Sequence, residues 1–503
     1  MNILIVAVPP LELSAPPQGP AVLKSVLINA GHHCDVYDLN VKVWERYAEI
    51  DKGMYFQSWG MPFIQSLRTD DKDLAIKFYR EELSSLDYSS YDYLGISVLS
   101  YLQWESAEMI VDILRSLSDA PIIAGGPAIK AYDPDTAPTD LLQKVDHFIT
   151  GDAEHSLVEL LNGNLNYPGI DNFIPEQNFP RDIFPFPDYD DYDFSKYPKN
   201  WLQPTKPNSG PNNTLYISGS KGCVRNCNFC DVHKIWPTYL WKKPKYLVNE
   251  LKTQKEKYNI NHFYFTDSLL NGSNKILKEI CEEIIEQIGI KKIAWSGQWI
   301  CKSNKGLTEA HYKLAADAGL ARMIVGVESG SENVRYHMRK KFKNEDLEFN
   351  LEQCRKHNIK FVPLMMCGYP TETEEDFQQS LDVLRLYSQY KDVIGELRCI
   401  NMMYLIPGTD MIDRDFQDMI EADFEFASTD KRWAPEDQQR WQVGNNTYDI
   451  RIERFYRYQG LAKELGMAPR FLKKQSLLDD YLQCSPEPNK EIINLIKYVH
   501  NSG

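Results

Sequence analysis

The sequence predicts an α/β protein in which two parallel-sheet domains are followed by a helical region. Short apolar, β-branched runs alternate with helical patterns over residues 1–165 and again over 213–415. Such alternation is typical of parallel sheets that are covered by helices. Between the two stretches lies a segment rich in Pro, Asp, Tyr and Asn, 166–212, and residues 416–503 read as helical and dense in aromatics.

The first stretch predicts a doubly wound domain, because strand, loop and helix repeat along it. An unbroken apolar run at 2–8 indicates a buried strand, and helical patterns follow at 22–28 and 104–117. A polar, helix-like insertion spans about 41–86. The further strands are expected at 33–38, 93–98, 121–124 and 147–150.

The second stretch predicts a (β/α)6 partial barrel whose functional loops lie at the carboxyl ends of its strands. The segment before it, 166–212, is expected to be an extended linker on a surface, and 416–503 to cap the barrel. The expected strands are 214–218, 262–266, 293–296, 323–327, 361–366 and 400–405.

Composition narrows the classes of function. Lys and Arg number 56 against 71 Asp and Glu, a net charge of −15, so nucleic acid is an unlikely partner. Ten cysteines in 503 residues are too few for a disulfide scaffold. There is no signal-like start and no apolar run of about 20 residues, which indicates a cytoplasmic protein without a membrane span. In that compartment clustered thiols indicate metal binding or catalysis.

Three cysteines fall within eight residues, at Cys223, Cys227 and Cys230, just after the first strand of the second domain. Three thiolates on one loop can ligate three irons of a cubane cluster and leave the fourth iron open to a small molecule. The alternative is a structural zinc site with His233 as the fourth ligand. The strand-end position and the absence of paired cysteine knuckles favour the cluster.

The CxxxCxxC pattern after a barrel's first strand resembles the signature of radical S-adenosylmethionine (SAM) enzymes. Later strand-end motifs are similar to those of the subgroup with an N-terminal cobalamin-binding domain: Asp267, Glu328, Gly368–Thr373 and Pro407–Thr409. The resemblance implies that the three cysteines hold a 4Fe–4S cluster whose free iron chelates SAM, which is cleaved to a 5′-deoxyadenosyl radical. It also implies that Phe229, Asp267, Glu328 and Gly368 contact SAM.

Several of these residues also have simpler interpretations. Asp267 could cap the following helix, and Thr266-Asp267-Ser268 departs from the Gly-Gly-Glu run of many radical SAM enzymes. Gly368-Tyr369-Pro370 could be only a turn. Glu328 is expected to contact SAM, because a buried carboxylate needs a partner. The basic run from Arg339 to Lys343 reads as a solvated helix end.

Loops of the first domain predict a site for a flat, large cofactor at the carboxyl edge of its sheet, since glycines allow close approach. The resemblance implies that this cofactor is cobalamin. The Asp-x-His-x-x-Gly motif that supplies a cobalt ligand elsewhere is absent, which leaves open a degenerate domain without cobalamin. The candidate contacts are Pro9, Pro10, Gly19, Ser97, Leu99, Ser100, Gly125, Gly126, Pro127 and Gly151.

The resemblance therefore predicts a cobalamin-dependent radical SAM enzyme that methylates an unactivated carbon of a small molecule or peptide. An electron donor such as flavodoxin or ferredoxin is the expected partner. One alternative is a radical cyclase, rearrangement or oxidation enzyme with or without cobalamin. Another is a zinc-stabilised, non-catalytic binding protein. Cys34, Cys281 and Cys354 read as packing residues, as do Cys301 and Cys367 unless one accepts a methyl group or quenches a radical.

Overall fold

The computed structural model describes residues 1–11, 13–50, 72–100, 103–129, 137–174, 185–197, 214–394, 397, 399–406, 408–422, 441–467 and 488–500. The chain divides into two compact units, Met1–Ile217 with Thr253–Tyr264 and Ser218–Lys252 with Phe265–Gly503. Within the described ranges, none of the helices combines the length and the apolar character that a membrane span requires.

The first sheet has five parallel strands in the order β2-β1-β3-β4-β5, which confirms the doubly wound prediction. Its strands are β1 Asn2–Ala7, β2 His33–Asp38, β3 Tyr93–Ser97, β4 Ile122–Gly125 and β5 His147–Ile149. The helices between and after them are α1 Gln18–Asn29, α2 Leu39–Ile50, α3 Lys72–Ser84, α4 Trp104–Leu117, α5 Thr139–Lys144 and α6 Ala153–Leu161.

The core of this sheet follows from its apolar strands. Ile3 to Val8 are at most 4% exposed, and Ile110 and Leu114 of α4 pack in the same core with no exposed area. The polar insertion is helical at both described ends, and α3 buries Phe78 and Tyr79 in this core. Residues 51–71 of that insertion lie outside the described residues.

The expectation of a surface linker at 166–212 is wrong for residues 185–197. Tyr189, Tyr192 and Tyr197 are at most 7% exposed there, and the Tyr189 hydroxyl donates to the Tyr216 carbonyl at 3.4 Å. The buried aromatic area makes this segment part of the first compact unit, because tyrosine rings gain more by packing than by lying on the surface. Residues 175–184 and 198–213 lie outside the described residues.

The second sheet has six strands in the order β13-β12-β11-β10-β9-β6, which confirms the predicted (β/α)6 arrangement. A two-stranded ribbon, β7 with β8, lies between β6 and β9 in the chain. The strands are β6 Thr214–Ile217, β7 Ser220–Lys221, β8 Leu240–Trp241, β9 His262–Phe265, β10 Ala294–Trp299, β11 Leu320–Glu328, β12 Lys360–Cys367 and β13 Cys399–Met402.

Helices follow most strands of this sheet. They are α7 Val232–Ile235, α8 Pro244–Tyr258, α9 Asn274–Gln287, α10 Glu309–Asp317, α11 Glu332–His337, α12 Asn344–His357 and α13 Glu374–Ser388. Local capping sets some of their starts: Ser273 accepts a hydrogen bond from the Ile276 amide at the start of α9, and Thr373 accepts one from the Asp376 amide at the start of α13.

The C-terminal region is mostly helical in its described part, with a short antiparallel ribbon besides. The ribbon pairs β14 Glu421–Ala422 with β15 Trp441–Gln442, and the helices are α14 Tyr448–Glu464 and α15 Lys490–His500. Trp441 and Val443 pack in one cluster with Tyr369 and Met403. The aromatic stretch therefore packs against strand-end residues of the second sheet, while Trp433 lies outside the described residues.

Candidate functional site

The three cysteines lie on one loop between the short strands β7 and β8. These strands pair antiparallel, Ser220 with Trp241 and Lys221 with Leu240, so the ribbon closes the base of the loop. Gly222 begins the loop at φ +78°, and a Cβ there would lie 2.6 Å from the Thr238 carbonyl oxygen. Glycine is therefore required before Cys223, because any side chain would push the two sides of the loop apart.

Cys223, Cys227 and Cys230 are free and half-buried, whereas Cys34, Cys281, Cys301, Cys354 and Cys367 are free and buried. Burial raises the pKa of all three loop thiols, that of Cys230 to about 12. The Arg225 amide donates to Cys223 Sγ at 3.4 Å. Partly accessible thiols with a backbone donor at sulfur fit a metal cluster, whose positive charge would stabilise the thiolates.

A mononuclear zinc site would require these thiols and His233 to converge on one ion. In the described parts of the chain, no three His, Cys, Asp or Glu side chains converge on one metal ion, and this holds for the three loop thiols as it does for His233. The five buried cysteines match their predicted packing role, and the Cys367 thiol lies 3.7 Å from the Arg451 carbonyl oxygen.

Glu328, at the end of β11, has its charge partner within the chain. Lys340 Nζ donates to Glu328 Oε1 at 2.7 Å and to the Gly326 carbonyl at 2.6 Å. Burial lowers the pKa of Lys340, but the charges of Glu328 and Cys227 outweigh it and hold that pKa above its usual value. Lys340 Nζ also lies 5.9 Å from the centre of the Phe229 ring. The Glu328 carboxylate and the Phe229 ring therefore both lie close to the Lys340 ammonium group, beside the cysteine loop.

The prediction of a solvated helix end is therefore wrong for two residues of the basic run. Lys340, whose side chain is 10% exposed, pairs with Glu328, and Arg339 donates to Asp410 and Asp415, at 2.5 Å each. Lys341 and Lys343 are exposed, as expected. The spacing of residues along the chain could not predict the ion pairs of Arg339, because both of its acidic partners are more than 70 residues away.

Asp267 lies after β9 and is 2% exposed. Its Oδ2 accepts a hydrogen bond from the Gly219 amide at 2.9 Å, at the link between β6 and β7. Burial raises its pKa to about 6, against the hydrogen bonds from Ser220 and Gly219. The capping alternative is wrong, because α9 begins seven residues later and is capped by Ser273. Asp267 thus orients the chain that leads into the cysteine loop.

The Gly368–Thr373 motif forms both a turn and the N-terminal cap of α13, and residues of α14 pack against it. Gly368 has φ +83°, and a Cβ there would lie 2.1 Å from Arg451 Cδ. Glu372 Oε2 accepts from the Gly368 amide at 2.7 Å and from Arg454 at 3.1 Å. Burial raises the pKa of Glu372 to about 7. The sequence analysis did not single out Arg451 and Arg454. The pattern that could have indicated them is the occurrence of arginines within an aromatic, helical stretch. Pro407 of the last motif lies outside the described residues.

All ten candidate residues of the first domain lie in the loops after β1, β3, β4 and β5, at the ends of those strands or in the first turn of α1. Gly126 has φ +114°, and a Cβ there would lie 2.4 Å from the Val98 carbonyl oxygen. Gly19 and Gly125 face open space, and Leu99 is 55% exposed. The edge is therefore glycine-lined and open, as a large ligand requires.

Gln103, which sequence reasoning missed, organises this edge. It has no exposed area, and its Oε1 accepts from the amides of Leu99 at 2.7 Å and Ser100 at 2.9 Å. Its Nε2 donates to the Val8 carbonyl. One buried amide thus joins the loops after β1 and β3, where the strand order reverses.

Together, the six-stranded parallel sheet and its cysteine loop define an α/β barrel-type protein with three free thiols on one strand-end loop. Residues 217–384 match the model of the Radical SAM superfamily. This match places a radical SAM domain over residues 217–384, which include the cysteine loop and strands β9 to β12.

Among curated proteins, the chain is similar to the anaerobic magnesium-protoporphyrin IX monomethyl ester cyclase of Synechocystis sp.. Identity is 26% over 261 residues, which cover 49% of this chain and 51% of the cyclase. The chain thus matches about half the length of that relative.

Two solved structures have a similar fold over nearly the whole chain. Radical S-adenosylmethionine methyltransferase TsrM from Kitasatospora setae, with cobalamin and a [4Fe-4S] cluster bound, is 16% identical with a TM-score of 0.64. That comparison covers 99% of this chain and 98% of TsrM. The cobalamin-dependent S-adenosylmethionine radical enzyme OxsB, with aqua-cobalamin bound, is 14% identical with a TM-score of 0.63, covering 99% of this chain and 74% of OxsB. The likeness confirms the predicted α/β architecture.

Proposed function

We propose that the chain is a cobalamin-dependent radical SAM enzyme that methylates a carbon of a small molecule or peptide. The observation that carries this proposal is the set of three free, half-buried cysteines on the loop before the radical SAM domain's second barrel strand. Cys223, Cys227 and Cys230 would hold a 4Fe–4S cluster. When bound, the cluster supplies the electron that cleaves SAM to a 5′-deoxyadenosyl radical.

The chain's own residues would bind SAM at the carboxyl edge of this sheet. Glu328 and Lys340 present an acidic and a basic group within 2.7 Å of each other, which suits a ligand with both an amino and a carboxylate group. Phe229 offers an aromatic face beside them for the adenine. Gly368 allows the backbone to approach the ligand, and Asp267 orients the start of the cysteine loop.

The open edge of the first sheet is the proposed cobalamin site. Its glycines and the loops joined by Gln103 leave room for a flat macrocycle, and TsrM and OxsB were both solved with cobalamin bound. Methylation is favoured because TsrM is a methyltransferase. A radical cyclase is the second candidate, favoured by the Synechocystis relative. A one-electron donor such as flavodoxin or ferredoxin, acting in the cytoplasm, completes the proposal.

Anaerobic purification and reconstitution with iron and sulfide test the metal centre. We expect about four irons and four sulfides per chain, and formation of 5′-deoxyadenosine from SAM with a chemical reductant. Replacement of Cys223, Cys227 and Cys230 together by Ala should abolish both. The matched control is Cys281→Ala, a buried thiol on α9. Zinc without iron in the wild type, or 5′-deoxyadenosine from the triple variant, would contradict the proposal.

Reconstitution with cobalamin separates the two candidate reactions. A methyltransferase should retain cobalt after gel filtration and form S-adenosylhomocysteine as well as 5′-deoxyadenosine. Formation of 5′-deoxyadenosine alone, without retained cobalt, would favour the cobalamin-free radical enzyme over the methyltransferase.

A further inference from the structure

Asn228 lies between the second and third loop cysteines and is buried, with 1% of its surface exposed. Its amide nitrogen donates to Tyr369 Oη and to Asp415 Oδ2, both at 2.8 Å. Its backbone carbonyl oxygen accepts a hydrogen bond from the Met411 amide, also at 2.8 Å. An asparagine side-chain amide has two N–H donors, so both are used. The residue is therefore held from its side chain and its backbone.

These partners lie in loops that follow the strands at the opposite end of the second sheet from β6. The cysteine loop follows β6, an edge strand, whereas Tyr369 follows β12, and Met411 and Asp415 follow β13, the other edge strand. Asp415 is itself held by Arg339 at 2.5 Å and by Arg414 at 3.1 Å. The cysteine loop is thus tied to the loops of the last two strands through one amide side chain.

The tie lies between two of the three cysteines, whereas the Lys234–Asp410 ion pair, at 3.6 Å, and the hydrogen bond from the Tyr239 hydroxyl to the Leu269 carbonyl, at 2.9 Å, restrain the loop after Cys230. The loop runs from Gly222 to Tyr239, and its base is a ribbon of only two residues per strand. The short helix α7 is its only regular element, and Asn226, in the same loop, is exposed. Ordering each residue of a loop costs backbone entropy, so a buried anchor between two cysteines restricts the thiols efficiently.

We propose that Asn228 is a positioning residue, which fixes the cysteine loop to the Tyr369 and Asp415 loops so that the three thiols hold their cluster in one geometry. This inference rests on the proposed function. Asn228 acts through the backbone on either side of it, and the ionised Asp415 makes one of its two bonds charge-assisted.

The test uses the full chain, reconstituted anaerobically with iron and sulfide. Asn228→Ala is compared with Asn226→Ala, which removes the same side chain from the same loop at an exposed position. We expect EDTA to remove the cluster about tenfold faster from Asn228→Ala than from wild type, since two hydrogen bonds are lost. The electron paramagnetic resonance signal of its reduced cluster should broaden. Asn226→Ala should match wild type in both measurements.

Tyr369→Phe removes one acceptor and keeps the ring, so it decides the question if Asn228→Ala does not fold. We expect it to lose the cluster about threefold faster than wild type, and the double variant to lose it no faster than Asn228→Ala alone. Equal rates and equal spectra for Asn228→Ala and Asn226→Ala would overturn the inference, even with a lower thermal midpoint. A wild type that takes up no cluster would instead refute the proposed function.

Discussion

Replacing Gly368 by Ala should destabilise the second compact unit strongly. Gly368 has φ +83°, in the region that favours glycine, and a Cβ would lie 2.1 Å from Arg451 Cδ and 2.4 Å from its Cγ. Arg451 has no exposed area and cannot swing into solvent. Alanine would therefore meet a backbone penalty and a buried side chain at once.

The magnitude follows from what Arg451 would lose. Its guanidinium donates to the carbonyls of Asn446, at 2.9 Å, and Trp441, and it stacks 3.8 Å from the centre of the Trp441 ring. The left-handed backbone costs about 1 kcal/mol, a lost hydrogen bond from a charged group about 2 kcal/mol, and the stacking about 1 kcal/mol. Together these contributions give an expected loss of about 4 kcal/mol.

Thermal unfolding of the full chain, followed by circular dichroism, measures this loss. At roughly 2–4 °C per kcal/mol the midpoint should fall by about 10 °C. Gly444→Ala is the matched control, because Gly444 also has positive φ, +54°, but nothing lies within 4 Å of the added Cβ. The control should lose only about 1 kcal/mol. Equal shifts for the two variants would refute the steric argument.

Three further predictions concern buried polar groups. Lys340→Met leaves Glu328 without its partner and should lower the free energy of unfolding, measured in urea, by about 3 kcal/mol. The double variant Lys340→Met with Glu328→Gln should regain most of that loss. A loss in the double variant equal to the sum of the two single losses would contradict the pairing. The pKa of Asp267 is about 6 in the folded chain against 3.8 for an ordinary aspartate, so folding favours the protonated carboxyl group. The contribution of Asp267 to the free energy of unfolding is therefore fully present below pH 3.8. It is lost as the pH rises through 6, by up to about 3 kcal/mol. Asp267→Asn should remove that slope between about pH 4 and 7, and an unchanged slope would exclude Asp267 as its source. Gln103→Ala removes the hydrogen bonds that Gln103 makes with the backbone of Val8, Leu99 and Ser100 and should cost about 3 kcal/mol. It should also weaken the retention of cobalamin in gel filtration; unchanged stability would show that water replaces the amide.

Most of the fold was predictable because its signals are local. The helix expected at 104–117 has those bounds, and the strand expected at 33–38 does too. Apolar runs report burial of a strand on both faces without reference to any partner. The prediction failed at residues 185–197, where a polar composition hides tyrosines that pack in the core.

The site was predictable in part. CxxxCxxC places three thiols on one loop through spacing alone, so Cys223, Cys227 and Cys230 could be recognised from their positions in the chain. Asn228 could not be recognised, because its partners Tyr369 and Asp415 are 141 and 187 residues away. No local pattern marks such a pair.

The sequence by itself determined the two parallel sheets, their order along the chain and the chemistry of the cysteine loop. These properties depend on periodicity and short spacing, which each segment carries alone. Only the tertiary structure decided that Lys340 pairs with Glu328, that Arg451 packs on Gly368, and that Asn228 joins the cysteine loop to the last strands. The physical reason is that a buried charge or amide is stable only where a distant part of the chain brings it a partner.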